Sequence, residues 1–183
     1  MVRQASPFLA LFLSGLAALI YQTAWGRMLH RVFGVSDLAI ATVLATFFLG
    51  LGLGSALGGR WGSRNERPAR LYAALEIAIG AWALLSILLI PNVHGLYASF
   101  GSDQSFTVLT ALRFTLALLI LLPPTLLMGA TLPVLIAAVS RRGIDWGGRA
   151  TGLYATNTLG AVAGAGLTGL LLVPRFGARM SIV

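Results

Sequence analysis

The chain has 183 residues, of which 57% are hydrophobic and 10% charged, against about 25% charged in an average soluble protein. Mean hydropathy is +0.87, too apolar for a domain that must show a polar surface to water, and the absence of cysteine excludes disulfides, thiolate metal sites and cysteine nucleophiles. The formal charge of +8 comes from 13 basic and 5 acidic residues, every basic one an arginine. These arginines sit between apolar runs and do not cluster on one face, so they read as determinants of orientation in a bilayer and not as a nucleic-acid footprint.

At ~20 apolar residues per crossing, the pattern predicts an all-α polytopic transmembrane bundle of about five helices plus the start of a sixth. The first span covers about 7–25, beginning at Pro7. It runs on without a small-x-small cleavage site, so it reads as an uncleaved helix and not as a signal peptide, and Trp25 suits an interfacial belt. A loop with Arg27, His30, Arg31 and Asp37 follows. The second span, about 38–59, is uncharged and carries Gly50, Gly54 and Gly58 at four-residue spacing. It is expected to end in a basic loop, Arg60 to Pro68. The third span, about 71–90, holds one charge, Glu76, and its apolar run stops at Pro91.

The run from Phe106 to Val139 is too long for one straight crossing, ~51 Å against a hydrocarbon core of ~30 Å. Pro123 and Pro124 each remove a backbone donor, so the fourth span, about 106–139, is expected to kink or break there. The fifth span is about 150–173, rich in small residues, and 177–183 reads as the start of a sixth helix that the chain does not complete. With the N-terminus cytoplasmic, Arg3, Arg60, Arg64, Arg67, Arg70, Arg141, Arg142 and Arg149 share the inner face, against Arg27, Arg31, Arg175 and Arg179 outside. That asymmetry predicts the N-terminus inside.

Glycines at i, i+4 and i+8 share a helix face and admit a neighbouring backbone, so Gly50, Gly54 and Gly58, with Gly160 and Gly164, are expected to be packing surfaces. A phosphate-binding loop would need a preceding strand and a soluble context, which this ladder lacks. Glu76 is an acidic residue within a span, either a proton or cation site or the partner of Arg60, Arg149 or a basic loop residue. Arg113 either serves a substrate or snorkels to the interface along its aliphatic stem. Gln22 and Asn157, with Tyr21, Thr23, Thr156 and Thr158, either line a cation pathway or act as interhelical hydrogen-bonding groups. His30 and His94 have no partners at metal-ligand spacing, so neither a metal nor another cofactor is expected.

The stretch Ser14 to Gln22, the glycine ladder Gly50 to Gly59, the segment Pro123-Pro124-Thr125-Leu126-Leu127-Met128-Gly129-Ala130-Thr131-Leu132-Pro133, and Tyr154 to Ala161 together resemble the N-terminal membrane region of fused major facilitator/spermidine synthase proteins. The resemblance covers essentially the whole chain. It implies half of a major facilitator fold, joined to a soluble aminopropyltransferase-like domain that this sequence does not contain. The Arg60–Arg64 segment resembles the connection between helices two and three of major facilitator transporters, with Gly59 where that motif carries its aspartate. An arginine early in helix four, here Arg113, is also shared with those transporters. The implied function is a membrane domain admitting or moving a polyamine or other small solute, in a bacterial inner membrane. Its partners would be the lipid bilayer, other membrane subunits or the second half of the same protein. The alternative is a structural anchor or assembly subunit with no substrate of its own.

Overall fold

A computed structural model describes residues 2–34, 36–99, 105–141 and 146–183. Arg142 and the side chains of Arg3 and His94 lie outside the described residues. Within them the chain is all-helical: α1 (Val2–Phe33), α2 (Asp37–Arg64), α3 (Pro68–Ser99), α4 (Phe106–Ser140), α5 (Trp146–Leu167), a π-turn (Thr168–Leu172) and α6 (Val173–Met180). Five helical segments are long and apolar enough to cross a membrane, the last running from Arg149 to Met180. Large apolar side chains such as Phe48, Ile77, Leu88, Leu119, Leu159 and Leu170 stand exposed on their flanks. In water these would form a continuous apolar surface, and in a bilayer they meet acyl chains.

The helices run past the apolar runs that predict them, and local chemistry accounts for it. At the start of α2, the Ser36 side chain accepts from the Ala39 N–H at 3.2 Å, and Asp37 complements the positive end of the helix. The expected basic loop from Arg60 is instead the last helical turns of α2. Gly62 is buried against Val134 and Ala137 of α4, and Arg141 donates to the carbonyls of Ser63 (3.0 Å) and Glu66 (3.4 Å). A guanidinium at the carbonyl-rich end of a helix is favourable on both hydrogen-bonding and dipole grounds. The reversal into α3 occupies only 65–67, where Asn65 Oδ1 accepts from the Arg67 N–H at 2.8 Å.

Prolines do not end these helices. Pro124 has no N–H, so the Ile120 carbonyl four residues earlier loses its helical donor. The indole of Trp82 on α3 supplies one at 3.0 Å. The Thr125 hydroxyl adds a bond to the Leu121 carbonyl at 2.7 Å. The break expected at Pro123 and Pro124 is therefore not an interruption of helical structure, and α4 is continuous through both. Pro91 likewise lies inside α3. The Ile87 carbonyl that it orphans accepts from Arg179 at 3.4 Å. The chain leaves helical geometry at Gly177, whose φ of 79° favours glycine.

Two parallel helix pairs organise the bundle. On α2, the buried residues Gly50, Gly54, Gly58 and Gly62 form one stripe against α4. A Cβ on Gly50 would strike Thr125, one on Gly54 the Leu126 backbone, and one on Gly58 would lie 2.5 Å from Ala130 Cα. The fit is reciprocal, because Gly129 of α4 lies against the Leu51 backbone. The pair α1/α5 repeats the arrangement, with Gly160 on Phe12, Gly164 on Leu16, and Gly15 on Asn157. Helix α3 closes the bundle, parallel to α1 and antiparallel to α4. Trp25, expected in an interfacial belt, is instead 1% exposed in the main apolar cluster. Its indole N–H donates to Ser86 Oγ at 2.7 Å.

Candidate functional site

A seam of polar side chains follows the α1/α3 contact. At one end the Tyr72 hydroxyl donates to the Ala10 carbonyl at 3.2 Å. At the other Trp25 donates to Ser86, whose hydroxyl passes its own proton to the Ala83 carbonyl at 2.6 Å. Between them lie buried Ser14, half-buried Tyr21 and half-buried Glu76. Tyr72 precedes Glu76 by four residues, so the two share one face of α3. The Tyr72 hydroxyl is within reach of both the Glu76 carboxyl and Ser14, and Tyr21 lies in the field of the same carboxylate. Tyr21 also stacks on Trp25, with ring centroids 5.7 Å apart, which closes the seam on that side.

The chemistry of the seam turns on one atom. Glu76 Oε1 is buried and meets no hydrogen-bond partner among the described residues. The pairing with Arg60 or Arg149, expected as the structural alternative, does not supply that atom. Tyr72 has a single proton to give, and the contact with the Ala10 carbonyl engages it. Glu76 starts the third turn of α3, ~12 Å along the axis from Pro68. A carboxyl oxygen without a donor at this depth is costly if charged. It is satisfied by meeting a cation that brings its own donors.

The other three residues singled out from the sequence are not brought to this seam. Gln22 lies about a sixth of a turn or more away around α1, where with Thr23, Arg27 and His30 it lines a cavity of about 380 Å³ facing Ile40, Val43 and Leu44 of α2. Asn157 belongs to the α1/α5 contact, its backbone carbonyl and Oδ1 facing Gly15. Arg113 is half-buried and engaged near the other end of α4. The Trp82–Ile120 bond sets the antiparallel register of α3 and α4. It places Glu76 level with Leu126, so Arg113 is ~20 Å away along the bundle. Sequence reasoning missed Ser14 and Tyr72 as neighbours of Glu76. The four-residue spacing from Tyr72 to Glu76 was the available signal for one of them, and nothing local points to Ser14.

No protein-family model matches the chain, and no solved structure matches it. It is 26% identical over 170 residues to polyamine aminopropyltransferase 1 of Streptomyces coelicolor. That alignment takes in 92% of this chain but 29% of the Streptomyces protein. The chain thus spans less than a third of the length of that relative.

Proposed function

We propose that the chain is the membrane-embedded portion of a polyamine-aminopropyltransferase-like protein, and that it admits or moves a polyamine or another small cationic solute. In this reading the bundle is one half of a major facilitator-like arrangement. The similarity to an aminopropyltransferase along nearly all of this chain, combined with five membrane-length helices, supports the first part. The cation reading is carried by the buried, unpartnered Glu76 Oε1. An ammonium group brings the donors this atom lacks, and Tyr72, Tyr21 and Ser14 offer oxygens for its remaining protons. The end of the bundle holding Arg60, Arg64, Arg67, Arg70 and Arg141 faces the cytoplasm in this reading, with the N-terminus on the cytoplasmic side of a bacterial inner membrane.

Uptake of labelled spermidine by the full chain in proteoliposomes tests the proposal. Glu76→Gln is expected to abolish uptake while the melting temperature in detergent stays near that of the wild type, because the amide keeps the shape of the side chain. Unchanged uptake removes Glu76 from the mechanism. Wild-type protein that shows no uptake supports the second reading, a structural anchor or assembly subunit. The observation favouring that reading is that Glu76, Gln22, Asn157 and Arg113 do not converge, whereas α1/α5 and α2/α4 are locked by backbone-to-glycine contacts.

A further inference from the structure

A second cavity, of about 340 Å³, opens where the C-terminal end of α1, the Pro91 region of α3 and α6 meet. Its apolar wall is Met28, Val32 and Ile90, each less than 10% exposed. Two arginines, Arg31 and Arg179, complete it together with Pro91. No carboxylate is among the described lining residues. Arg179 is held by its bond to the Ile87 carbonyl, which Pro91 has deprived of a helical donor. That bond uses one of the five N–H groups of the guanidinium and leaves four for a ligand. Arg31 stands in the last turn of α1, two residues before the helix ends at Phe33.

We propose that this cavity is a phospholipid site, in which Arg31 and Arg179 bind the phosphate of an anionic lipid while its glycerol and first acyl carbons lie on Met28, Val32 and Ile90. Two guanidinium groups facing one space repel each other until an anion enters, and their planar forks match phosphate oxygens. The volume lies in the range of small-molecule sites and exceeds what a bare phosphate fills. The apolar wall is of no use to a free inorganic anion, which distinguishes lipid from soluble phosphate as the occupant. Basic pockets between membrane helices are a recurrent form of headgroup recognition. The inference is independent of any role for Glu76.

The test uses the full chain in a neutral detergent, titrated separately with phosphatidylglycerol, phosphatidylcholine and inorganic phosphate. Thermal unfolding and native mass spectrometry follow binding. Phosphatidylglycerol is expected to raise the melting temperature by several degrees and to appear as a bound adduct, with phosphatidylcholine doing neither. Arg31→Gln, which leaves the Arg179–Ile87 bond in place, should weaken phosphatidylglycerol binding about tenfold or more, the loss of a charge-assisted hydrogen bond. Arg179→Lys keeps the charge but loses the fork, and should weaken it less. Equal binding of the two lipids, or phosphatidylglycerol binding unaffected by both substitutions, overturns the proposal. An equal shift from inorganic phosphate overturns lipid as the occupant.

Discussion

Gly58 and Gly59 are adjacent in α2, yet the same substitution at each should move stability in opposite directions. A Cβ on Gly58 would lie 2.5 Å from Ala130 Cα and 2.8 Å from both Ala130 Cβ and the Ala130 carbonyl oxygen. Comfortable separations for carbon are ~3.5–4.0 Å, so α2 and α4 must part by about 1 Å. Both helices are rigid, so the gap spreads along the stripe from Gly50 to Gly62. Overpacking of this kind costs about 1–3 kcal/mol, offset by up to ~1 kcal/mol because alanine is the better helix former. The expected net loss for Gly58→Ala is about 1–2 kcal/mol. A Cβ on Gly59 meets nothing within 4 Å, so Gly59→Ala should keep the propensity gain alone, up to ~1 kcal/mol. At about 2–4 °C per kcal/mol for a chain of this size, the two variants should melt about 5–10 °C apart in detergent, followed by tryptophan fluorescence. If both melt on the same side of the wild type by similar amounts, the α2/α4 contact is not the tight seam described.

Two further substitutions probe the polar contacts between helices. Trp82→Phe keeps the ring but removes the donor that meets the Ile120 carbonyl, and should cost about 1–2 kcal/mol. Trp61→Phe, at an exposed site, is the control, and equal melting temperatures for the two variants would contradict the role given to Trp82. Ser86→Ala strands the indole N–H of fully buried Trp25 at a cost of about 1–3 kcal/mol. The double variant Trp25→Phe/Ser86→Ala should lose less than the sum of the single changes, and strict additivity would show that the bond contributes nothing.

The five spans were legible because apolar runs of membrane length have few alternatives in a chain this poor in charge. The glycine stripe was legible too, since a four-residue spacing fixes a helix face whatever packs on it. Its partner was not. Only the fold shows that Gly50 to Gly58 meet α4 and that Gly15 and Gly129 answer from the opposite helices. The helix ends, and the break expected at Pro123 and Pro124, differ from the fold for a related reason. A proline read locally removes a donor, but whether the helix survives depends on a donor elsewhere in the chain. For Pro124 that donor is Trp82, and for the carbonyl freed by Pro91 it is Arg179. Trp25 shows the same limit. Its place at the end of an apolar run matched a belt residue, whereas Ser86, 61 positions away, makes it a core residue.

The distribution of charge narrows what Glu76 can receive. Both described cavities near the C-terminal end of α1 are lined by arginine, Arg27 with His30 in one and Arg31 with Arg179 in the other. A like-charge pair 4 Å apart costs ~4 kcal/mol at the effective dielectric near a protein surface, so neither cavity suits a polyamine. The Gln22 cavity is therefore a poor continuation of a cation route that passes Glu76, although both border α1. The α1/α3 seam is chemically different, since its side chains are hydroxyls, an indole and one carboxyl. One carboxyl balances one positive charge, and a polyamine carries several. Glu76 alone thus matches a proton, a small monovalent amine or a single terminal ammonium. In the proposed function a polyamine therefore meets Glu76 through one ammonium group at a time, beside the oxygens of Tyr72, Tyr21 and Ser14.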